Sequence, residues 1–169
     1  MIQLTAFSSA DFNRFISWID SEALLITIAG TVFSYPLTAA QLETYLTDES
    51  SHAFNIVDVN EDKVIGHAEL IVQEQNSYKI DKLIIGETLN RGKGVGQAVI
   101  RKLLEYAFAN LGANTVELNV FDWNTAGIRC YEKCGFVMNP AKQALFKSGN
   151  DTWTALNMSI DKDRWDSMK

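Results

Sequence analysis

LNRGKGVGQAVIRKLLEYAF, residues 89–108, sets three glycines and two basic residues within six positions and then runs without a break into an apolar helical pattern. Three phosphate-binding designs compete for it. A P-loop places four residues between its first glycine and a Gly-Lys pair and follows the lysine with Ser or Thr. Here five residues separate Gly86 from Gly92, and Lys93 is followed by Gly94. A dinucleotide fingerprint reads G-x-G-x-x-G with an acidic residue about twenty positions on. This loop reads G-x-G-x-G, and Glu117 stands at the wrong point of its strand for a ribose ligand. The remaining design, Arg-x-x-Gly-x-Gly, is met by Arg91, Gly94 and Gly96. Its glycines let the backbone approach a ligand closely and turn several N–H groups toward one point, and the helix that follows adds its positive end. Residues Arg91, Gly92, Lys93, Gly94, Val95, Gly96 and Gln97 are thus expected to hold a pyrophosphate, with charge from Arg91 and Lys93 and a side-chain donor from Gln97.

Working outward, Val95, Val99, Leu103 and Ala107 mark a helix that stops at Gly112. On its N-terminal side, AFNIVDV, VIGHAELIVQ and YKIDKLIIG are strand signals joined by the short turns NEDK and EQNS, which predicts an antiparallel meander. On its C-terminal side, TVELNVF is a strand and NTAGIRCYEKC a shorter helix closed by Gly135. FVM begins another strand, and ALFKS and TWTALNMSI form a final hairpin. Strand, crossover helix and strand over positions 78–121 make a βαβ unit, so the sheet should be mixed with one parallel pair. Near the start, SSADFNRFISWID carries Ser and Asp caps and places Phe12, Phe15, Ile16 and Ile19 on one helical face. Thr38 and Gln41 form a capping box for a second helix, and AGTVFSYPL is an aromatic loop between them.

The whole chain narrows the function classes. At 169 residues and 47% hydrophobic content it suits one buried core and a single domain over 1–169. A formal charge of -6, with no long basic run, disfavours nucleic acid and favours a cationic small molecule or basic peptide. No basic n-region with an apolar core opens the chain and no stretch approaches bilayer length, which points to a cytoplasmic protein without a membrane partner. Cys130 and Cys134 have no second pair for zinc or a disulfide framework, and His52 and His67 lack ligand spacing, so no metal is expected.

A second motif, NTAGIRCYEKCGF, stands one helix and one strand after the loop, with Asn124, Tyr131, Gly135 and Phe136 as its marks. With both motifs in this order the chain resembles the GNAT superfamily of N-acetyltransferases, well over residues 54–136. More loosely, its N-terminal third is similar to the branch that acetylates ribosomal protein N-termini and polyamines. The resemblance implies an α/β (α+β) fold with a mixed, mostly antiparallel sheet, helices on both faces and a splayed parallel strand pair. It implies acetyl-CoA as co-substrate, its pantetheine arm entering between YKIDKLIIG and TVELNVF and meeting the backbone of Leu83, Ile84 and Ile85. Asn124 would bond the arm from the other side or cap its helix.

The reaction so implied is direct transfer of acetyl to a primary amine, a small cationic amine or a peptide N-terminus. An alkylamine has a pKa near 10 and must lose a proton before attack, while the departing thiolate must gain one. Tyr131 matches the family position whose phenol supplies that proton. The base is open: Asn119 stands where some members carry a carboxylate, leaving Asp81 ahead of Glu69 and Glu117, or a water chain. Asp81 and Glu69, on adjacent strands, would together form a negative mouth for an ammonium. Trp18, Phe33, Tyr35 and Trp153 are candidates to line the acceptor site. The alternative is a non-catalytic acyl-CoA sensor or regulatory domain. The fold does not name the acceptor, and the chain could be a monomer or a homodimer.

Overall fold

The computed structural model describes residues 1–86 and 94–169. A seven-stranded sheet runs through it, with β1 (Ile2–Ala6), β2 (Ser51–Asp58), β3 (Lys63–Glu74), β4 (Ser77–Ile85), β5 (Thr115–Phe121), β6 (Val137–Ser148) and β7 (Asp151–Asp161) in the order β1-β2-β3-β4-β5-β7-β6. Every neighbouring pair is antiparallel except β4 and β5. The helices are α1 (Phe12–Trp18), α2 (Glu22–Ala29), α3 (Ala39–Leu46), α4 (Val95–Ala109), α5 (Thr125–Lys133) and α6 (Lys162–Ser167).

Two cores explain the layering. On one face, α4 buries Val99, Ile100, Leu103 and Leu104 against Ile65, Ala68, Leu70 and Ile80, the apolar stripe read from its 3.6-residue spacing. On the other, α1, α2 and α3 bring Phe15, Leu25 and Leu42 together with Phe7 and Ile84.

Several elements depart from the sequence expectation. Strand β1 is short and at the edge, with Ile2 and Leu4 packed on the core. Helix α2 arises from EALLITIA, which is apolar almost all round and so gives no helical stripe. Its signals are the Ser21 cap, which accepts from Leu24 N at 3.2 Å, and Gly30 at φ +58 beyond its end. Strand β6 joins the FVM and ALFKS segments into one edge strand, irregular between Asn139 and Gln143 where Pro140 lacks an N–H for the ladder. Thr38 caps α3, but Gln41 does not complete the box. Its amide instead accepts from Ser34 N at 2.9 Å and donates to Ser34 O and Pro36 O, tying down the loop before the helix.

Candidate active site

The parallel pairing of β4 with β5 runs from Ser77 with Thr115 only as far as Ile80 with Leu118. Beyond that point β4 stays bonded to β3, and β5 to β7. The cause of the parting lies in β4 itself. His67 pairs with Ile84 and Glu69 with Asp81, so β4 spends three residues where β3 spends two, and Lys82 takes φ +48. This bulge reverses the alternation. Ile80, Leu83 and Ile85 face α4, while Lys82 and Ile84 turn to the α1–α3 side. Across the opening, the two strands are no longer each other's ladder partners. A cavity of about 190 Å³ fills the gap, lined by Asp81, Lys82 and Leu83 from β4, Asn119 and Phe121 from β5, and Tyr131 from α5.

Helix α5 aims Tyr131 into this cavity. Its cap is Asn124, whose Oδ1 accepts from Gly127 N at 3.0 Å. A Cβ at residue 127 would lie 2.7 Å from the Asn124 side chain, so glycine is what lets the cap close. One turn on, the Tyr131 ring meets Phe136 edge-on at 6.1 Å. Burial first, and then the neighbouring thiols of Cys130 and Cys134, push its phenol up to about 12. At neutral pH it is therefore a phenol with a proton to give.

The carboxylates stand in unequal settings. Asp81 borders the cavity, accepts from Lys79 Nζ at 3.1 Å and from Lys82 N at 2.8 Å. Glu69 is 1% exposed, with one oxygen accepting from Ser51 Oγ and the other ion-paired to Lys82 Nζ at 2.5 Å. Glu117 is buried and bridged to Lys142 at 2.8 Å. Asn119 accepts from Asn157 Nδ2 at 3.0 Å. Asp81 and Glu69 do share a face, as their strand register requires, yet each already carries a lysine. The pair of free charges expected from the sequence is not what the site presents.

A second cavity of about 510 Å³ adjoins the first through Val32, Asp81 and Lys82 and is walled by Phe33, Tyr45, Thr44 and Asp48. Of the aromatic candidates, Phe33 lines this cavity. Trp18 packs where a Cβ on Gly86 would fall 2.2 Å from its indole, beside the start of the loop. Tyr35 is 44% exposed and donates to Asp20 O at 3.2 Å. Trp153 belongs to a separate aromatic group, 5.1 Å from Phe121 and 5.3 Å from Trp123, and Phe121 in turn lines the first cavity. The acceptor candidates thus fall in different places rather than on one wall.

On the cofactor side, Arg91, Gly92 and Lys93 lie outside the described residues. Gly94 caps α4 in the left-handed region at φ +77, with open space where a Cβ would stand, and Val95, Gly96 and Gln97 form the first turn. Helix α5 presses on that turn from behind. Cys130 Sγ lies 3.4 Å from a Cβ position on Gly96, and Cys134 Sγ donates to Gln97 O at 3.8 Å. Helix α4 runs fifteen residues from this turn, and the first N–H groups of such a helix have no acceptor within it. Leu83 lines the first cavity, whereas the side chains of Ile84 and Ile85 are taken into the two cores.

Lys82 carries no warning in the sequence as a site residue. The one available signal is a lysine between apolar neighbours in KIDKLII, which a fully buried strand would not tolerate without a partner or a bulge; the structure has both.

Comparison with known proteins agrees with this fold. A family profile described as the acetyltransferase (GNAT) family matches residues 18–136. An N-acetyltransferase 9-like protein of Caenorhabditis elegans is 22% identical over 144 residues, covering 77% of this chain and 71% of that protein. The spermidine N-acetyltransferase of Vibrio cholerae, solved with CoA and spermine, is similar in structure with a TM-score of 0.81 at 21% identity over 97% of each chain. An aminoglycoside acetyltransferase solved with coenzyme A and kanamycin gives 0.77 at 19% identity, covering 99% of this chain and 98% of that one. At these identities the likeness of the structures concerns the fold.

Proposed function

The chain belongs to the acetyltransferase (GNAT) family, and we propose that it is a cytoplasmic single-domain N-acetyltransferase in which Tyr131 and Asp81 serve the transfer of acetyl from acetyl-CoA to a cationic primary amine. The observation that carries this reading is the splay beyond Ile80 and Leu118, a cavity bordered by a protonated phenol on one side and an accessible carboxylate on the other. Acetyl-CoA supplies the activated acetyl group. The first turn of α4, with Gly94, Val95, Gly96 and Gln97, receives the pyrophosphate together with Arg91 and Lys93. The β4 backbone over Leu83, Ile84 and Ile85 meets the pantetheine arm. An N–H there polarises the thioester carbonyl, and Asn124 holds the turn that positions α5.

Asp81 attracts the ammonium and takes its proton, directly or through one water, so that the neutral amine can attack. Tyr131 gives its proton to the departing coenzyme A sulfur. Glu69 holds Lys82 and does not act as base, because it is shut from solvent, whereas the Asp81 side chain keeps 20% exposure. The reduced thiols of Cys130 and Cys134 suit the cytoplasm. The spermine and kanamycin held by the two solved relatives support an amine acceptor; a peptide N-terminus offers the same nucleophile.

The test is thiol release from acetyl-CoA across small amines, polyamines, aminoglycosides, amino acids and N-terminal peptides, with the acetylated product weighed by mass spectrometry. Release that depends on an amine and yields a product heavier by one acetyl group is expected. Tight coenzyme A binding with no release for any acceptor would instead make the chain an acyl-CoA sensor, a reading that the amide at Asn119 in place of a carboxylate keeps open.

A further inference from the structure

Lys82 is 3% exposed, and its ammonium is enclosed by groups that together recognise a cation. Glu69 Oε2 lies 2.5 Å away, and the rings of Phe33 and Tyr45 face it at 5.8 and 5.1 Å from their centroids. Ser51 holds the other Glu69 oxygen in place. A carboxylate and two aromatic faces converging on one point is the arrangement that binds an alkylammonium, through charge and cation–π attraction. Here the chain fills that arrangement with its own side chain. It does so from a strained position, since Lys82 is held at φ +48 where an L residue is disfavoured. The ammonium stands where the two cavities meet.

We propose that the Phe33, Tyr45 and Glu69 cage is an ammonium site occupied by Lys82 as an internal ligand, so that Lys82 sets acceptor specificity by admitting amines with one ammonium and excluding the second ammonium of diamines and polyamines. The proposal rests on the acetyltransferase reading given above. The charges around the second cavity support it. Glu69 is neutralised by Lys82, and Asp81, already bridged to Lys79, is the group the reacting ammonium approaches. Asp48, the other acid on that wall, is at the exposed rim and already accepts from the backbone and hydroxyl of Ser50. A second ammonium entering the cavity therefore finds the Glu69 cage already filled and no inner free carboxylate.

The perturbation is Lys82→Gly, which empties the cage, keeps Glu69, and suits the left-handed backbone at that position. Thermal unfolding in ethylammonium chloride, against sodium chloride at equal ionic strength, reads cage occupancy without reference to catalysis. The variant should be stabilised saturably by ethylammonium while the parent is not. In turnover, the parent should use n-butylamine at least tenfold better in kcat/KM than 1,4-diaminobutane, and Lys82→Gly should narrow or reverse that ratio by tenfold or more. If Lys82→Gly fails to fold even with ethylammonium present, Lys82→Asn decides, since asparagine tolerates the left-handed backbone and leaves Glu69 in place. It should shift the same ratio toward the diamine because the Glu69 carboxylate is then free to take the second ammonium. Equal use of both amines by the parent, no ethylammonium response in a folded Lys82→Gly, or an unchanged ratio in Lys82→Asn would overturn the proposal. Absence of turnover with every amine would instead remove the acetyltransferase reading, and the ethylammonium response would then stand or fall alone.

Discussion

Tyr131→Phe removes one oxygen from the cavity and leaves the ring that packs edge-on to Phe136 at 6.1 Å, so the fold should be kept. If the phenol protonates the leaving sulfur, its loss should lower turnover by about 10² to 10⁴, the range of a lost general acid. At about 1.36 kcal/mol per decade that is about 2.7 to 5.4 kcal/mol of barrier. The structure also fixes the pH dependence. Burial and the two adjacent thiols push the phenol up to about 12, so it stays protonated through the working range. The parent rate should rise with pH as the amine loses its proton and show no falling limb from Tyr131 below about pH 11. An ordinary tyrosine, at about 10, would already be half ionised at pH 10. In the variant the deficit should shrink above about pH 9, because a thiol with a pKa near 8.5 can leave unprotonated there. The assay is thiol release at saturating acetyl-CoA between pH 6 and 10.5, with coenzyme A affinity by calorimetry and thermal unfolding alongside. A variant that binds coenzyme A normally and turns over at the parent rate, or a deficit that is the same at every pH, would refute the assignment of Tyr131 as acid.

Gly86→Ala should cost about 1 to 3 kcal/mol by overpacking, since its Cβ would fall 2.2 Å from the Trp18 indole. That is a fall in Tm of about 2 to 12 °C for a chain of this size. The cost should nearly vanish in a Trp18→Ala background, and an undiminished cost there would contradict the contact. His67 is buried between Phe7 and Phe15, and burial, followed by the Lys82 charge, pushes its imidazole down to about 3 although Asp11 opposes the shift. The unfolded chain has a histidine near 6.5 and so binds the proton first. Stability should be fully present above that value and decline as pH falls toward about 3, by up to about 1.4 kcal/mol per pH unit. Unfolding curves between pH 6.5 and 5 should show the decline in the parent and a weaker one in His67→Gln; identical slopes would mean His67 is not buried neutral.

What was legible in the sequence was local. The glycine spacing around Gly94 and Gly96 and the Asn124 to Tyr131 stretch each encode a turn or a helix within a dozen residues, and from them the order of strands β2 to β5 follows. The bulge was not legible, because it depends on which β3 residue each β4 residue meets. Reading KIDKLII by simple alternation would put Ile80, Lys82 and Ile84 on one face, whereas Lys82 and Ile84 go to the other. The same limit hid the state of Glu69. Its strand face could be foreseen, but not that a lysine thirteen residues on would reach its carboxylate. Helix α2 was hidden by its own hydrophobicity, since a segment apolar all round has no period to detect. Trp153 and Phe33, alike as aromatic signals, part company in space because one belongs to the β7 hairpin and the other to the loop before α3.

The opening between β4 and β5 as the place where acetyl-CoA reacts is tested most directly by a structure of the protein with coenzyme A and a non-reacting amine, measuring the distance from Tyr131 Oη to the coenzyme A sulfur. The pantetheine arm should lie beyond Ile80 and Leu118, with that distance within about 3.5 Å or bridged by a single water, and the amine nitrogen on the Asp81 side. A pantetheine arm bound elsewhere, or a sulfur turned away from Tyr131 with the strands closed over the gap, would contradict it.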